Sequence, residues 1–128
     1  MRQYKYKYWY NGKMLEVGQI EFMTDGTYLV NEELVGGTLR EWTGLLDKNG
    51  KEIYEEDIIT YPILGKDEPI KREVKFYNGA FGVFTGNGTR YPTGGATTEF
   101  GLLGNGLVHE VIGNIYEHPE LLVPKPSK

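Results

Sequence analysis

Short stretches of alternating apolar and polar residues run along this chain, and glycine-containing turns separate them. In "REVKFYNGAFGVF", apolar side chains stand at every second position on both sides of Asn78-Gly79. Asn-Gly accepts positive φ at both central positions of a turn, so this segment predicts a two-residue β-hairpin. The same reasoning predicts hairpins that turn at Asn11-Gly12 and at Asp25-Gly26.

Helical periodicity is weak, because a Gly or Pro interrupts the 3.6-residue apolar period in every window of about 12 residues. Two single helical turns are predicted: "NEEL" at 31–34, capped by Asn31, and "HPELL", with Pro119 at its first position. Several short strands at spacings of about 8 to 12 residues are typical of a small barrel or sandwich. The chain is therefore predicted to be mainly β, with one or two short helical turns.

Residues 86–106 interrupt this pattern with seven glycines and little charge. They predict either a long irregular loop or a hairpin inserted between two strands. A loop of this length in a compact domain is usually functional or disordered, and both interpretations stay open. The tail at 123–128, "VPKPSK", is predicted to be disordered.

Composition narrows the class of protein. A chain of 128 residues is the usual size of one domain and buries about two thirds of its surface. The absence of cysteine excludes disulfides, thiolate zinc sites and a thiol nucleophile. The N-terminus lacks the apolar core of a signal peptide, and no run approaches the roughly 18 apolar residues of a membrane span. We therefore expect a soluble intracellular protein.

The formal charge of −4 is unevenly distributed. Residues 1–13 contain four basic residues and no acid, so they carry +4 and the rest of the chain carries −8. A protein that is acidic as a whole gains nothing from long-range attraction to phosphate, so any nucleic-acid contact is expected to be local.

The stretch "GLLDKNGKEIYEEDII" has part of the spacing of an EF-hand calcium loop. With Gly50 at the sixth loop position, Asp47, Asn49 and Glu56 fall at the third, fifth and twelfth positions. The first position, normally aspartate, is Leu45, and the glycines before it argue against the incoming helix. A tight "DKNG" turn after a strand explains these residues better.

Four carboxylates follow within six residues, at Glu52, Glu55, Glu56 and Asp57. Paired carboxylates can transfer protons or hold Mg²⁺, so Glu55 and Asp57 define a hypothesis of carboxylate-metal hydrolysis. The simpler interpretation is a solvated turn in which Asp57 accepts hydrogen bonds from nearby amides.

Other catalytic groups are scarce. The only serine is Ser127, near the end of the predicted disordered tail, so acyl transfer by serine or cysteine has no suitable nucleophile. The spacing of His109 and His118 matches no zinc motif, and both are expected to be structural. We predict no catalytic residue, no metal ligand and no cofactor.

The segment "RQYKYKYWYNGK" combines basic and aromatic residues. As a strand it places its four tyrosines on one face and Lys5, Lys7 and Trp9 on the other. Aromatic rings beside cations bind single-stranded nucleic acid, at about 1–3 kcal/mol per stacked base. Alternatively, the tyrosines pack on the core and the lysines protect an edge strand from pairing with other chains. The candidate binding residues are Tyr4, Lys5, Lys7, Trp9, Lys13 and Arg90.

Three segments together resemble the YopX protein family, small proteins of phages and prophages: "WTGLLDKNGKEIYEEDII", "VKFYNGAFGVF" and "EVIGNIYEHPELL". The matching residues of the first are Thr43, Gly44, Leu45, Asp47, Asn49, Gly50, Ile53, Tyr54, Glu55, Asp57 and Ile58. Those of the last are Ile112, Gly113, Asn114, Ile115, Tyr116, Glu117, Pro119, Glu120, Leu121 and Leu122. The resemblance spans nearly the whole chain.

Two positions depart from the family pattern. Trp42 stands where the family often has tyrosine, and Glu56 stands where it has glycine. If that glycine serves a positive φ, glutamate costs roughly 1 kcal/mol there, so the turn in this chain is expected not to be left-handed.

The resemblance implies an SH3-like β-roll or barrel. It implies one YopX-like domain over 1–122, with N-terminal hairpins at 1–40 and the barrel, carrying the 86–106 insertion, at 41–122. It also implies a phage or prophage origin and a place in the host cytoplasm. It implies no activity and no binding residue.

These observations favour a non-enzymatic accessory protein that binds an unknown protein partner or assembles with itself into an oligomer. The alternatives are a nucleic-acid-binding module that uses the basic N-terminal strand, and the carboxylate-metal hydrolase. No membrane partner is expected.

Overall fold

The computed structural model describes residues 4–62, 65, 67–84 and 100–122. Over these ranges the chain is mainly β, as predicted, with twelve strands and one 3-10 helix. It divides into two compact units, Met1–Trp42 and Thr43–Lys128. None of the helical structure in the described ranges is long and apolar enough to cross a membrane.

The first unit consists of hairpins. Its strands are β1 (Tyr6–Tyr10), β2 (Lys13–Glu16), β3 (Ile20–Phe22), β4 (Tyr28–Val30) and the first part of β5 (Thr38–Leu46). β1 pairs with β2 across Asn11-Gly12, where φ is 52° and 78°, and β3 pairs with β4 around Asp25-Gly26. Both predicted hairpins are therefore confirmed.

The second unit contains the larger apolar core. Its strands are the end of β5, then β6 (Glu52–Tyr54), β7 (Asp57–Tyr61), β8 (Ile70–Glu73), β9 (Lys75–Tyr77), β10 (Ala80–Phe84), β11 (Phe100–Leu102) and β12 (Val111–Asn114). They pair antiparallel in the orders β12-β7-β8 and β11-β10-β9. Ile53, Ile59, Val74, Val83 and Leu103 form a buried cluster. These pairings are compatible with the predicted SH3-like roll.

The β9–β10 hairpin confirms the prediction at Asn78-Gly79, because Tyr77 pairs directly with Ala80. The sequence leaves an irregular loop and an inserted hairpin open for 86–106, and the C-terminal end of this segment is not an irregular loop. Residues 100–102 form β11, which pairs with β10 in the register Gly82 to Leu102. Residues 86–99 lie outside the described part of the chain.

Of the two predicted helical turns, one is confirmed. Pro119–Leu122 forms a 3-10 helix. The turn at 31–34 is wrong, because Asn31 and Glu32 have φ of 52° and 77°, and Val30 forms a β-bridge with Leu34. The Asn31 side chain instead accepts the N–H of Gly18 at 2.8 Å and donates to the carbonyl of Glu16. Those long-range bonds use the groups that a helix cap needs.

Candidate functional site

The turn between β5 and β6 is built around Asp47, which is only 2% exposed. Its Oδ1 accepts the N–H of Asn49 at 2.8 Å and of Lys51 at 2.9 Å. Its Oδ2 accepts the N–H of Val111 at 2.9 Å, from a strand 64 residues away. Gly50 closes the turn with φ of 82°. The predicted "DKNG" turn is confirmed, and it also ties the turn to β12.

These contacts decide what the Asp47 carboxylate can do. Burial alone raises the pKa of Asp47, but hydrogen bonds from Val111, Lys51 and Asn49, together with the Lys51 charge, lower that pKa below its usual value. The ionised oxygens accept hydrogen bonds from backbone N–H groups. These groups carry partial positive charge, so they stabilise the carboxylate and would repel a bound cation. In the described ranges, no three His, Asp or Glu side chains form a group that could hold a metal ion.

Thr43 and Gly44 precede this turn within β5. The Thr43 hydroxyl donates to the carbonyl of Ile53 at 2.8 Å and accepts the N–H of Leu45. Gly44 has φ of 88°, a conformation that a side chain disfavours. These two residues of the family pattern therefore shape the strand that leads into the Asp47 turn.

A second turn joins β6 to β7 through Glu55 and Glu56. The Oδ2 atom of Asp57 accepts the N–H of Tyr54 at 2.8 Å, which confirms the prediction that Asp57 binds nearby amides. The prediction for Glu56 is wrong, because its φ is 72° and the turn is left-handed. The phenol of Tyr116 donates to Glu56 Oε1 at 2.8 Å, and this bond offsets part of the backbone strain.

A third turn follows β12 and is organised by Asn114. Its Oδ1 accepts the N–H of Tyr116 at 3.0 Å and of Glu117 at 2.9 Å, and its Nδ2 donates to the Glu117 carboxylate. A side chain on Gly113 would meet the His118 ring at 2.7 Å. Pro119 then begins the 3-10 helix. The family residues at both ends of the second unit thus satisfy backbone groups of turns.

The candidate nucleic-acid strand is divided between two faces of its sheet. Lys7 and Trp9 share one face, opposite Arg40 and Thr38 of β5. Lys13 lies on the other face, opposite Tyr10. The Lys5 ammonium lies 4.9 Å from the centre of the Trp42 ring. The structure therefore groups Lys5, Lys7 and Trp9 and separates them from Lys13.

The remaining candidate residues of that set do not join the group. Tyr4 is exposed just before β1, and Arg90 lies outside the described residues. The alternative interpretation of the strand is right about Tyr8, which is fully buried and accepts the N–H of Gly37 at its hydroxyl. It is wrong about an edge strand, because β1 lies between β2 and β5. The lysines of β1 therefore do not protect an open edge.

The sheet β9–β10–β11 is apolar on both of its faces. Phe81 and Val83 pack on the core from one face. The other, which we call the aromatic face, consists of Lys75, Tyr77, Ala80, Gly82, Phe84, Phe100 and Leu102. The rings of Tyr77, Phe84 and Phe100 lie 5.0–5.2 Å apart, centre to centre. An antiparallel sheet normally turns a polar second face to water, so this composition is unusual.

Gly82 lies on the middle strand of the aromatic face and has no side chain to project from it. A Cβ atom at Gly82 would lie 2.3 Å from the carbonyl oxygen of Gly101 and 2.8 Å from the ring of Phe100. The missing side chain therefore lets the Phe100 ring lie across β10 and reach Tyr77 and Phe84. Tyr77 remains 43% exposed and Leu102 61% exposed. The exposed apolar area of the face therefore comes from Tyr77 and Leu102, on the strands either side of the buried Phe84.

One charge lies at the rim of the aromatic face. The Lys75 ammonium is 3.2 Å from Oε2 of Glu73, whose carboxylate is buried on β8. The pair neutralises the only charged side chain of the face. Apolar contact is therefore the dominant interaction that this surface can make.

Sequence reasoning missed the aromatic face although it found the β9–β10 hairpin. The signal was the run Phe81-Gly82-Val83-Phe84, which is apolar at consecutive positions and therefore apolar on both faces of a strand. The pairing of Phe100 with Phe84 could not be predicted from the sequence, because Phe100 lies in the segment that was predicted to be an insertion.

Comparisons with known proteins agree with this architecture. The sequence model of the family described as YopX protein matches residues 3–123. Protein EF1440 from Enterococcus faecalis has a similar structure with a TM-score of 0.58 and 25% identity, over 96% of this chain and 100% of that chain. Protein yopX from Bacillus subtilis has a TM-score of 0.61 and 20% identity, over 91% and 96%. No curated protein matches the chain.

Proposed function

We propose that this chain, which belongs to the YopX protein family, is a phage- or prophage-encoded accessory protein. It binds a short apolar segment of a partner protein, without catalysis. The family resemblance is what supports the proposed phage origin and the proposed place in the host cytoplasm. The binding function follows from the aromatic face. The observation that carries it is that a sheet face with Tyr77 and Leu102 exposed holds three mutually contacting rings and one neutralised charge.

The size of the aromatic face favours a short segment over a second copy of the chain. The three strands are three, five and three residues long. With a spacing of about 4.8 Å and a rise of about 3.3 Å per residue, they cover roughly 170 Å². A stable dimer buries about 800 Å² on each partner. A few residues of an extended peptide fit the available area, and we expect such binding to be weak and reversible.

The chemistry of the aromatic face favours a peptide over nucleic acid. Binding to a phosphate backbone depends on cations, and the only cation of the face is already paired with Glu73. The apolar surface around Gly82 and the exposed Leu102 suit aliphatic or aromatic side chains at alternate positions. We therefore commit to an extended peptide with alternating large apolar residues.

The test is a titration of the full-length, isotope-labelled chain with a capped peptide of alternating Leu, Phe and Ser residues, followed by NMR. We expect amide signals of β9, β10 and β11 to shift, and Leu102→Ser to weaken binding at least about tenfold, the loss of one buried apolar side chain. The matched control is Leu107→Ser, because Leu107 is 58% exposed but lies outside these strands. It should bind like the unchanged chain.

Other outcomes identify other occupants and overturn the proposal. Shifts at the aromatic face that appear on concentration without peptide, with a mass above 14.6 kDa in light scattering, would mean that a second copy occupies it. Shifts in β1 on addition of single-stranded DNA, with no effect of the peptide, would favour the nucleic-acid alternative. Equal loss of binding in both leucine variants would show that the contact is nonspecific.

A further inference from the structure

Asn-Gly forms hairpin turns in this chain and is also a chemically labile dipeptide. Glycine has no side chain to shield its backbone nitrogen, so that nitrogen can attack the side chain of the asparagine before it. The dipeptide occurs five times, and the pair at 87–88 lies outside the described part of the chain. The other four pairs share one chemistry in four local settings, so differences in their reactivity arise mainly from the fold.

The reaction joins two atoms that are neighbours in the sequence. The glycine nitrogen forms a bond to Cγ of the asparagine and displaces ammonia, which takes up the proton of the glycine N–H. The product is a cyclic imide. Water then opens the imide at either of its two carbonyls and gives aspartate or isoaspartate. The reaction therefore needs only water, a glycine N–H that is not hydrogen-bonded and a side-chain amide that can turn toward it.

The pair Asn49-Gly50 is held by hydrogen bonds on both of its reacting groups. The N–H of Gly50 donates to the carbonyl of Asp47 at 3.0 Å. The side-chain Nδ2 of Asn49 lies 3.4 Å from the carboxylate of Glu110. Attack at this pair therefore has to wait until the Asp47 turn opens.

The pair Asn105-Gly106 is held in the same way. Gly106 is buried, and its N–H donates to the carbonyl of Leu103 at 3.2 Å. Oδ1 of Asn105 accepts the N–H of Leu107 at 3.0 Å, which fixes the side-chain amide on its own turn. This pair is therefore protected as well.

The pairs Asn11-Gly12 and Asn78-Gly79 are open to water. They form the turns of the β1–β2 and β9–β10 hairpins, and all four residues are exposed. Within the ranges that the structure describes, no hydrogen bond engages either glycine N–H or either asparagine side chain. We propose that Asn11 and Asn78 are the sites at which the folded chain modifies itself, by spontaneous loss of the side-chain amide.

Conversion at Asn78 changes the hairpin that carries the aromatic face. Isoaspartate routes the main chain through its own methylene group, so the turn gains one carbon atom. Tyr77 pairs directly with Ala80, so a turn of two residues has no slack to absorb that atom, and the pairing of β9 with β10 is loosened. Because Tyr77 is part of the aromatic face, the modified chain would bind peptide more weakly, and this last step rests on the proposed function.

The first test measures the rate of conversion at each asparagine in the full chain. The protein is incubated at mildly alkaline pH, which favours loss of the glycine proton, and samples are digested and analysed by mass spectrometry. We expect Asn11 and Asn78 to convert at least about tenfold faster than Asn49 and Asn105, because the latter two react only after local opening. In concentrated urea, where the turns are unfolded, the four rates should converge.

The second test connects the modification to the aromatic face through Asn78→Gly. Gly-Gly accepts the same two-residue turn but has no side-chain amide to lose. After the same incubation, the unchanged chain should contain isoaspartate at position 78 and show shifted amide signals in β9 and β10. The Asn78→Gly variant should keep the spectrum and the peptide binding that it had before incubation.

Two results would overturn the inference. One is an equal or faster rate at Asn49 or Asn105 in the folded chain, and the other is conversion of Asn11 and Asn78 in urea only. Isoaspartate at position 78 with unchanged β9 and β10 signals would overturn the link to the hairpin. Conversion at Asn78 in a chain that binds no peptide would support this inference and remove only the proposed function.

Discussion

The Asp47 turn and the aromatic face belong to the same unit and use their side chains in opposite ways. At the turn, a buried carboxylate accepts three backbone N–H groups, and its oxygens are directed at the protein itself. On the aromatic face, Tyr77 and Leu102 are exposed to water beside the Phe84 ring, which is itself buried. The turn holds β12 and the β5–β6 connection in place, whereas the face keeps apolar area available for another molecule.

The most recognisable segment of the chain is therefore not the segment that we propose to bind a partner. Residues of the family pattern such as Asp47, Asp57 and Asn114 satisfy the backbone groups of turns. They resemble ligands because a carboxylate or amide that binds several N–H groups has the same residue type and spacing as one that binds a cation. Substitutions should therefore separate stability from binding.

The largest effect is expected for Asp47→Ala. It leaves three backbone N–H groups without their charged acceptor, and we expect the free energy of unfolding to fall by about 3 to 5 kcal/mol. Urea unfolding of both proteins measures the difference. The control is Asp25→Ala. The Asp25 carboxylate also accepts the N–H of a turn residue, Thr27, but it is exposed to water. Equal losses in the two variants would contradict the assigned role of Asp47.

Gly82→Ala should have the next largest effect and act on the aromatic face. The new methyl group would overlap the Gly101 carbonyl and the Phe100 ring, so we expect a loss of about 1 to 3 kcal/mol, with weaker peptide binding. Gly18→Ala is the matched control, because a Cβ atom there meets its nearest neighbour at an ordinary 3.7 Å. An unchanged melting temperature for Gly82→Ala would mean that β10 and β11 do not pair as described.

Local turns of this chain could be predicted from its sequence, whereas its long-range contacts could not. The Asn-Gly and "DKNG" turns were predictable because local residues determine turn geometry. The bond from Asp47 to Val111 was not, because it joins residues 64 positions apart. The internal position of β1 and the contact of Phe100 with Gly82 also depend on strand pairing, which local patterns do not determine.

Acid should weaken the Asp47 turn by a smaller amount than its substitution. The pKa of Asp47 is lower in the folded chain than its usual value of 3.8, so its ionised form stabilises the fold fully above that value. The contribution is lost as the pH falls below 3.8 and through the folded pKa. Thermal melts from neutral to acidic pH should show this loss, and Asp47→Asn should lose less stability over the same range. Parallel pH profiles of the two proteins would contradict the prediction.

The smallest effect is expected at Glu56, where two contributions nearly cancel. Glu56→Gly removes a strained left-handed glutamate, worth about 1 kcal/mol, but also removes the bond from Tyr116, worth a similar amount. We expect its stability to change by less than about 1 kcal/mol. Glu56→Ala loses the bond and keeps the strain, so it should be the less stable of the two. Urea unfolding that ranks alanine above glycine would show that φ at this position is not positive in solution.

Leu102→Ser tests the separation of stability from binding most directly when unfolding and peptide titration are measured on the same sample. Because Leu102 is mostly exposed, we expect its unfolding free energy to stay within about 0.5 kcal/mol of the unchanged chain. Peptide binding should weaken at least about tenfold, while Leu107→Ser changes neither quantity. Unaltered peptide binding by Leu102→Ser, with the fold intact, would contradict the role given to the aromatic face.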